Sequence, residues 1–376
     1  MSLNNLLEKC KQISFYTPKD IEKYAKEKNI KSIGMVPMFY PAELVHAADM
    51  LPVGMWGSYD VQIDLSKQYF PAFCPSFVMA IMELGLNGSY DFLSAVIIPG
   101  MSDTLNSLGQ NWKSGVSQVP FISIVYPQNR AIQCGIEYLN DELNNVKEKL
   151  EKISGVKISE EKLEKSIDLF NEHRKAMREF SSLAALHPNS INNESRAFVY
   201  KSAQYITKED HLQIVNEINS LLKEMPEEKY SGHKIITTGI LLDDPNLLKA
   251  LDDNNLRIAG DYVVMESIQY NTDVPKDGSS QIENISLQWK NIEGFSGAYD
   301  PKMLRGSLIA KLAKERGADA AIFALTKFSD FEEYDMPICM SEIRKGGIQA
   351  FTFEIDQQDK GSEQVKTRIQ TFADIL

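Results

Sequence analysis

Ala95-Val-Ile-Ile-Pro99 is apolar without a break and is closed by Gly100. A strand with one face in water would alternate polar and apolar residues. An unbroken run needs cover on both faces, which parallel strands obtain from their crossover helices. Similar runs stand at Ser32 to Pro37 and at Phe121 to Tyr126, with helix-like stretches between them. Pro41-Ala-Glu-Leu-Val-His-Ala-Ala48 is predicted as a helix with proline in its first turn, and another helix is predicted to begin near Cys74-Pro75. Upstream, Thr17-Pro-Lys-Asp20 has the cap, proline and acid of a helix start.

From about residue 131 to 230 the period changes. Ile132, Ile136, Leu139, Leu143, Val146, Leu150 and Ile153 recur in steps of four and three, an apolar helix stripe with Lys and Glu opposite. After Ser154-Gly155, Ser159 followed by Glu160 and Glu161 marks a second helix start, with Leu163, Ile167, Phe170, Met177 and Phe180 on the same spacing. Thr207 with Asp210 reads as a capping box opening a third. Beyond residue 231 alternation returns: Lys234 to Thr238, Arg257 to Ala259, Ala320 to Leu325 and Gln349 to Ile355 read as strands. Asn246 to Leu251, Leu304 to Lys314 and Gln364 to Ile375 read as helices. The expected architecture is α/β, with two Rossmann-like parallel-sheet lobes at 1–130 and 231–376 joined by a helical segment at 131–230. A ligand would sit in a cleft between the lobes.

Composition narrows the function. At 376 residues the chain exceeds what a single core holds, and 43% hydrophobic with 24% charged residues is a globular balance. Forty Lys plus Arg against 52 Asp plus Glu give a net charge of -12, which argues against nucleic acid as partner. No stretch approaches the roughly 18 apolar residues of a membrane span, and the start lacks a signal peptide's apolar run. Four scattered cysteines, Cys10, Cys74, Cys134 and Cys339, do not make a disulfide framework; the cytoplasm is the expected compartment.

Few residues suggest chemistry by themselves. The five histidines are dispersed and none shares a metal-ligand spacing with another, which argues against zinc. His46, on the helix after Pro41, is either an acid or base near the lobe interface or a structural residue. There is no nucleophile elbow, P-loop or dinucleotide fingerprint. Gly239 either lines a ligand or relieves a tight strand exit, and Gly346-Gly347 reads as a helix C-cap. Cys74, where the chain feeds a helix, is either a thiol with lowered pKa or a small buried hydrophobe. Cys10 is expected in a mobile N-terminal region, Cys134 lies off its helix's apolar stripe, and Cys339 is expected near a helix start at Asp335-Met-Pro337.

Longer strings are more specific. Val36-Pro-Met-Phe-Tyr-Pro-Ala-Glu-Leu-Val-His-Ala-Ala48, Leu51-Pro-Val-Gly-Met-Trp-Gly57, Gly109-Gln-Asn-Trp-Lys113, Tyr126-Pro-Gln-Asn-Arg130, Lys327-Phe-Ser-Asp-Phe-Glu-Glu-Tyr-Asp-Met-Pro337, Glu354-Ile-Asp-Gln-Gln358 and Thr367-Arg-Ile-Gln-Thr-Phe372 resemble the β subunits of 2-hydroxyacyl-CoA dehydratases, nearest the 2-hydroxyisocaproyl-CoA type. The resemblance covers nearly the whole chain. It implies an oxygen-sensitive heterodimer in which an α-like subunit carries a cluster and the acyl-CoA, served by an ATP-dependent activator. One injected electron makes a ketyl radical anion of the thioester, which expels the hydroxyl and permits syn elimination of water. It further implies a 4Fe-4S cluster in the β subunit, held by three cysteines.

At those three positions the chain departs from the pattern. Pro75 stands where the first cysteine is usual, with Cys74 one position before it; the second position is Ser102 and the third Ser329. Ser107 replaces a further cysteine common in the family. Serine keeps its proton at neutral pH and is a hard donor, while cluster iron takes soft, ionised thiolate. The expectation is therefore no cluster in this chain, with Cys74, Ser102 and Ser329 marking the former site, and with Ser102 and Ser329 serving as helix caps. A rearranged site using Cys74 and Cys339 is the lesser alternative. Two functional readings follow. One is a β-type dehydratase subunit that is inactive alone; the other is a non-catalytic scaffold or ligand-binding paralogue, for which a homodimer is expected.

Overall fold

The chain folds around two sheets whose paired strands all run parallel. A computed structural model describes residues 1–36, 39–57, 61–295, 297–298, 300–358 and 363–376. Helices α1 (Leu3–Ser14) and α2 (Pro18–Lys28) lead into β1 (Lys31–Met35), α3 (Ala42–Ala47), β2 (Met50–Gly54), α4 (Ser76–Leu86), β3 (Ala95–Pro99), α5 (Asp103–Gly115) and β4 (Phe121–Ile124). The strand order is β2-β1-β3-β4. All five residues of β3 are buried, as its unbroken apolar run requires. Thr17 and Asp20 form the expected capping box. The first strand ends at Met35, and Pro37, placed in it from sequence, lies outside the described residues. Pro41 caps α3 rather than entering its first turn. β2 escaped the sequence reading because Pro52 interrupts it; as an edge strand it tolerates the missing N–H.

The helical segment comprises α6 (Gln133–Ser154), α7 (Glu160–Leu186), α8 (Asn193–Ser202) and α9 (Lys208–Glu224). The predicted stripe of α6 is buried from Ile136 to Leu150, while Ile132 before the helix is largely exposed. Gly155 ends α6 in the left-handed region at φ 78°, and the Ser159 hydroxyl caps α7 by accepting the Lys162 N–H at 3.2 Å. The Thr207 box is half formed: its hydroxyl accepts from the Asp210 N–H, but the Asp210 carboxylate takes the Tyr24 hydroxyl and Lys28 of α2. α8 had no readable stripe because Arg196, Ala197, Phe198, Val199 and Tyr200 are all buried. α1 packs on α8 and α9, so Cys10 is fully buried rather than mobile.

The second lobe runs β5 (His233–Gly239), α10 (Pro245–Asp253), β6 (Leu256–Val263), α11 (Gln281–Asn291), α12 (Arg305–Arg316), β7 (Ala320–Thr326), α13 (Asp330–Lys345), β8 (Gln349–Ile355) and α14 (Glu363–Ile375), with order β6-β5-β7-β8. α13 starts at Asp330, seven residues ahead of Pro337, which it carries inside. Acids in its first turn and a buried Arg305–Glu332 ion pair support the start that proline alone does not reveal. Gly346 ends this helix and Gly347 turns at φ 80° into β8, as read from sequence. Gly239 is explained by packing, since a Cβ there would stand 2.3 Å from the Ala324 carbonyl oxygen. The lobes touch directly through buried Gln357, whose amide donates to the Trp56 carbonyl at 2.9 Å. Among the described residues no helix is long and apolar enough to cross a membrane.

Candidate functional site

In each sheet the connections reverse direction at the middle, between β1 and β3 and between β5 and β7. Crevices at the carboxyl ends of such strands are where open α/β sheets accept ligands. A cavity of about 360 Å³ lies there, between the lobes. Its lining comes from Pro75, Phe77 and Val78 at the start of α4, residues 101–105 after β3, and Gln128 after β4. Ile240 after β5, Gly297, and Ser329, Asp330, Phe331 and Tyr334 at the start of α13 complete it.

The tertiary structure thus gathers Pro75, Ser102 and Ser329 into one cavity. Cys74 is not among its lining residues. Its thiol lies 3.8 Å from the Pro75 carbonyl, and burial pushes its pKa up to about 12. Of the two readings of Cys74, the small buried hydrophobe holds and the lowered thiol pKa does not, because desolvation outweighs the helix end. Cys339 sits ten residues into the helix from Ser329, about 15 Å along the axis at 1.5 Å per residue. It is buried against Ile309, Ala310 and Ile343, with its pKa raised to about 12 by burial. Cys134 is exposed at the beginning of α6, and burial raises Cys10 to about 11.

The donors available at the cavity are the hydroxyls of Ser102, Thr104, Ser329 and Tyr334, two exposed carboxylates (Asp103 and Asp330) and side-chain or main-chain amides. No thiol lines it, and among the described residues no group of three His, Cys, Asp or Glu side chains is arranged to hold a metal. This donor set does not fit an iron–sulfur cluster, which needs ionised soft ligands.

The two serines differ. Ser102 caps α5, its hydroxyl accepting the Leu105 N–H at 3.3 Å. Ser329 occupies the cap position of α13, yet its hydroxyl makes no capping bond and has no partner among the described residues, although the residue is only 5% exposed. The side-chain cap expected of it is therefore absent; its main-chain carbonyl accepts from Glu332 and Glu333, as at any helix start. Just before it Phe328 is held at φ 65°, a left-handed conformation that a bulky residue rarely adopts. Behind the helix start, Arg305 of α12 donates to Thr238 Oγ1 at 2.8 and 3.0 Å and to Glu332 at 3.2 Å. Burial raises the Glu332 pKa, against the pull of Arg305. Arg305, Gln128 and Tyr334 were not singled out from sequence; the last two lie inside strings quoted only for resemblance.

Other candidates prove structural. His46 is engaged by Ser166 and Glu209, both at 2.9 Å. Two histidines that look dispersed in sequence meet in space: His173 and His211 share a 2.8 Å hydrogen bond, wholly buried. A larger hollow of about 620 Å³ lies between α7 and α12, where Arg178 is paired with Asp273 and Arg316 donates to Ser182.

Comparison with known proteins finds sequence similarity over nearly the whole chain. Residues 37–376 match the family model described as 2-hydroxyglutaryl-CoA dehydratase, D-component. The chain is 42% identical to the (R)-phenyllactyl-CoA dehydratase beta subunit of Clostridium sporogenes, covering 95% of each chain. It is 37% identical to the lactoyl-CoA dehydratase subunit beta of Anaerotignum propionicum over 99% of this chain and 98% of that one. With the (R)-2-hydroxyglutaryl-CoA dehydratase subunit beta of Acidaminococcus fermentans it shares 32% identity over the full length of both. With two parallel α/β lobes, an interlobe cavity at their strand ends and end-to-end similarity to these beta subunits, the chain belongs to the 2-hydroxyglutaryl-CoA dehydratase D-component family.

Proposed function

We propose that this chain is the β-type subunit of a radical (R)-2-hydroxyacyl-CoA dehydratase, contributing to syn elimination of water to the 2-enoyl-CoA, and that its own cavity carries no iron–sulfur cluster. Its partner is an α-type subunit bearing the cluster and the acyl-CoA, with an ATP-dependent activator serving the pair; alone the chain is inactive. Residues 1–130, 131–230 and 231–376 act as lobe, helical joint and lobe, and the cytoplasm is its compartment. The single observation carrying the cluster-free reading is that Pro75, Ser102 and Ser329 meet at one cavity that no thiol lines. Full-length similarity to three dehydratase beta subunits supports the subunit assignment.

The test is anaerobic co-expression with an α-type dehydratase chain, followed by iron and sulfide analysis of the complex and of this chain alone. Co-purification, with iron confined to the partner, is the expected result. A brown, iron-bearing preparation of this chain alone would overturn the cluster-free reading. A stable homodimer that ignores the α-type chain would favour the paralogue instead. A Pro75→Cys, Ser102→Cys, Ser329→Cys variant is expected to gain iron where the parent has none.

A further inference from the structure

The hollow of about 620 Å³ between the helical segment and the second lobe is walled by α7, the turn after β6, the end of α11 and one side of α12. Two arginines line it. Arg178 of α7 is held by both carboxylate oxygens of Asp273. Arg316, the last residue of α12, is half-buried and donates to the neutral Ser182 hydroxyl at 2.9 Å, yet it forms no ion pair among the described residues. The buried or half-buried Arg174, Arg178, Arg196, Arg257 and Arg305 each have a carboxylate partner. Arg316 differs from them. Withdrawing a guanidinium from water without an opposite charge is costly, and burial holds its pKa below the usual arginine value. A cation in the last turn of a helix is favourable, but Lys314, exposed in the same turn, fills that role without burial.

The wall around Arg316 is hydrophilic. Tyr262, Asn271, Thr272 and Asn291 line the hollow, and their side chains make no hydrogen bond to other described residues. Of the carboxylates there, Asp261 is taken by Arg196 and Asp273 by Arg178, while Glu293 is exposed to solvent.

We propose that this hollow binds a small polyhydroxylated carboxylate, of the size of a sugar acid. Its carboxylate lies against the planar fork of Arg316, and its hydroxyls bond the side chains of Tyr262, Asn271, Thr272 and Asn291. One uncompensated positive charge, with the Glu293 carboxylate in the same wall, favours a monoanion over a phosphate dianion. A hydrogen-bonding wall favours a hydroxylated body over a hydrocarbon tail, which would leave those groups unpaired. No residue of the interlobe cavity takes part, so binding here is independent of whether a cluster is held there.

The experiment is isothermal titration calorimetry of the purified, full-length chain with D-gluconate, butyrate and inorganic phosphate as probes. Gluconate is expected to bind one to one and about tenfold more tightly than butyrate or phosphate. Arg316→Gln is expected to weaken gluconate by more than about tenfold, the loss of paired charge-assisted hydrogen bonds. Arg316→Lys keeps the charge but not the fork, and is expected to fall between the two. Asn291→Ala, at an exposed position, is expected to weaken binding several-fold. Circular dichroism checks that each variant folds. Gluconate that does not bind at millimolar concentration overturns the proposal, as does butyrate or phosphate binding as tightly. Parent-like affinity in Arg316→Gln overturns it too, or, where that variant does not fold, parent-like affinity in both Arg316→Lys and Asn291→Ala.

Discussion

Glu43 of α3 and Arg174 of α7 form an ion pair with both side chains almost wholly buried, 3% and 8% exposed. The pair joins the first lobe to the helical segment. Asn171, on the same helix, accepts a further hydrogen bond from the guanidinium at 2.9 Å.

Removing one member of such a pair strands a buried charge. Glu43→Ala is expected to lower unfolding stability by about 3–5 kcal/mol, while Glu43→Met with Arg174→Met costs much less. Urea titration of the three proteins measures the difference. Equal losses in the single and double variants would show that the pair does not act as a unit.

Buried histidines set an acid limit. Burial, with Lys208 nearby, pulls His211 from 6.5 down to about 3, and burial lowers His173 well below its usual value. Between those values the unfolded chain takes up protons that the folded chain refuses. The stability from holding these rings neutral is therefore present above about pH 6.5 and is lost as pH falls, by up to ~1.4 kcal/mol per pH unit for each proton. His211→Gln is expected to flatten unfolding free energy against pH between 6.5 and 4. An unchanged slope would exclude the dyad as its source.

Thiol reactivity ranks by burial. Cys134 is exposed, whereas Cys10, Cys74 and Cys339 are buried with raised pKa values. Iodoacetamide at pH 8 is expected to label Cys134 first, and the other three only after denaturation. Peptide mass spectrometry reads the order, and fast native labelling of Cys74 would contradict its placement.

The two cavity serines should respond differently to the same change. Ser102→Ala removes a working cap and is expected to cost about 0.5–2 kcal/mol. Ser329→Ala removes a hydroxyl with no partner among the described residues and is expected to be neutral or mildly stabilising. Thermal unfolding of the two variants decides it.

The elements legible in sequence were those whose burial has one period. β3 and β8 match their predicted bounds, and α6 and α7 follow their stripes. α8 was illegible because it is buried all round, β2 because of Pro52, and the start of α13 because Pro337, a residue usual in a helix's first turn, stands in its middle. For the site, residue types at Pro75, Ser102 and Ser329 could be compared with a family pattern, but not the direction in which Cys74 would lie or its pKa.

By itself the sequence determined the alternation of covered strands and helices, the helical middle, and the absence of thiols at Ser102 and Ser329. These follow from local period and residue chemistry. Only the tertiary structure decided that Pro75, Ser102 and Ser329 share one cavity, that Cys74 and Cys339 are excluded from it, that His173 meets His211, and that the Ser329 hydroxyl is left without a partner among the described residues. Each of these depends on how distant elements approach one another, and the path of a chain through two packed sheets is set by the sum of many weak contacts that no local pattern records.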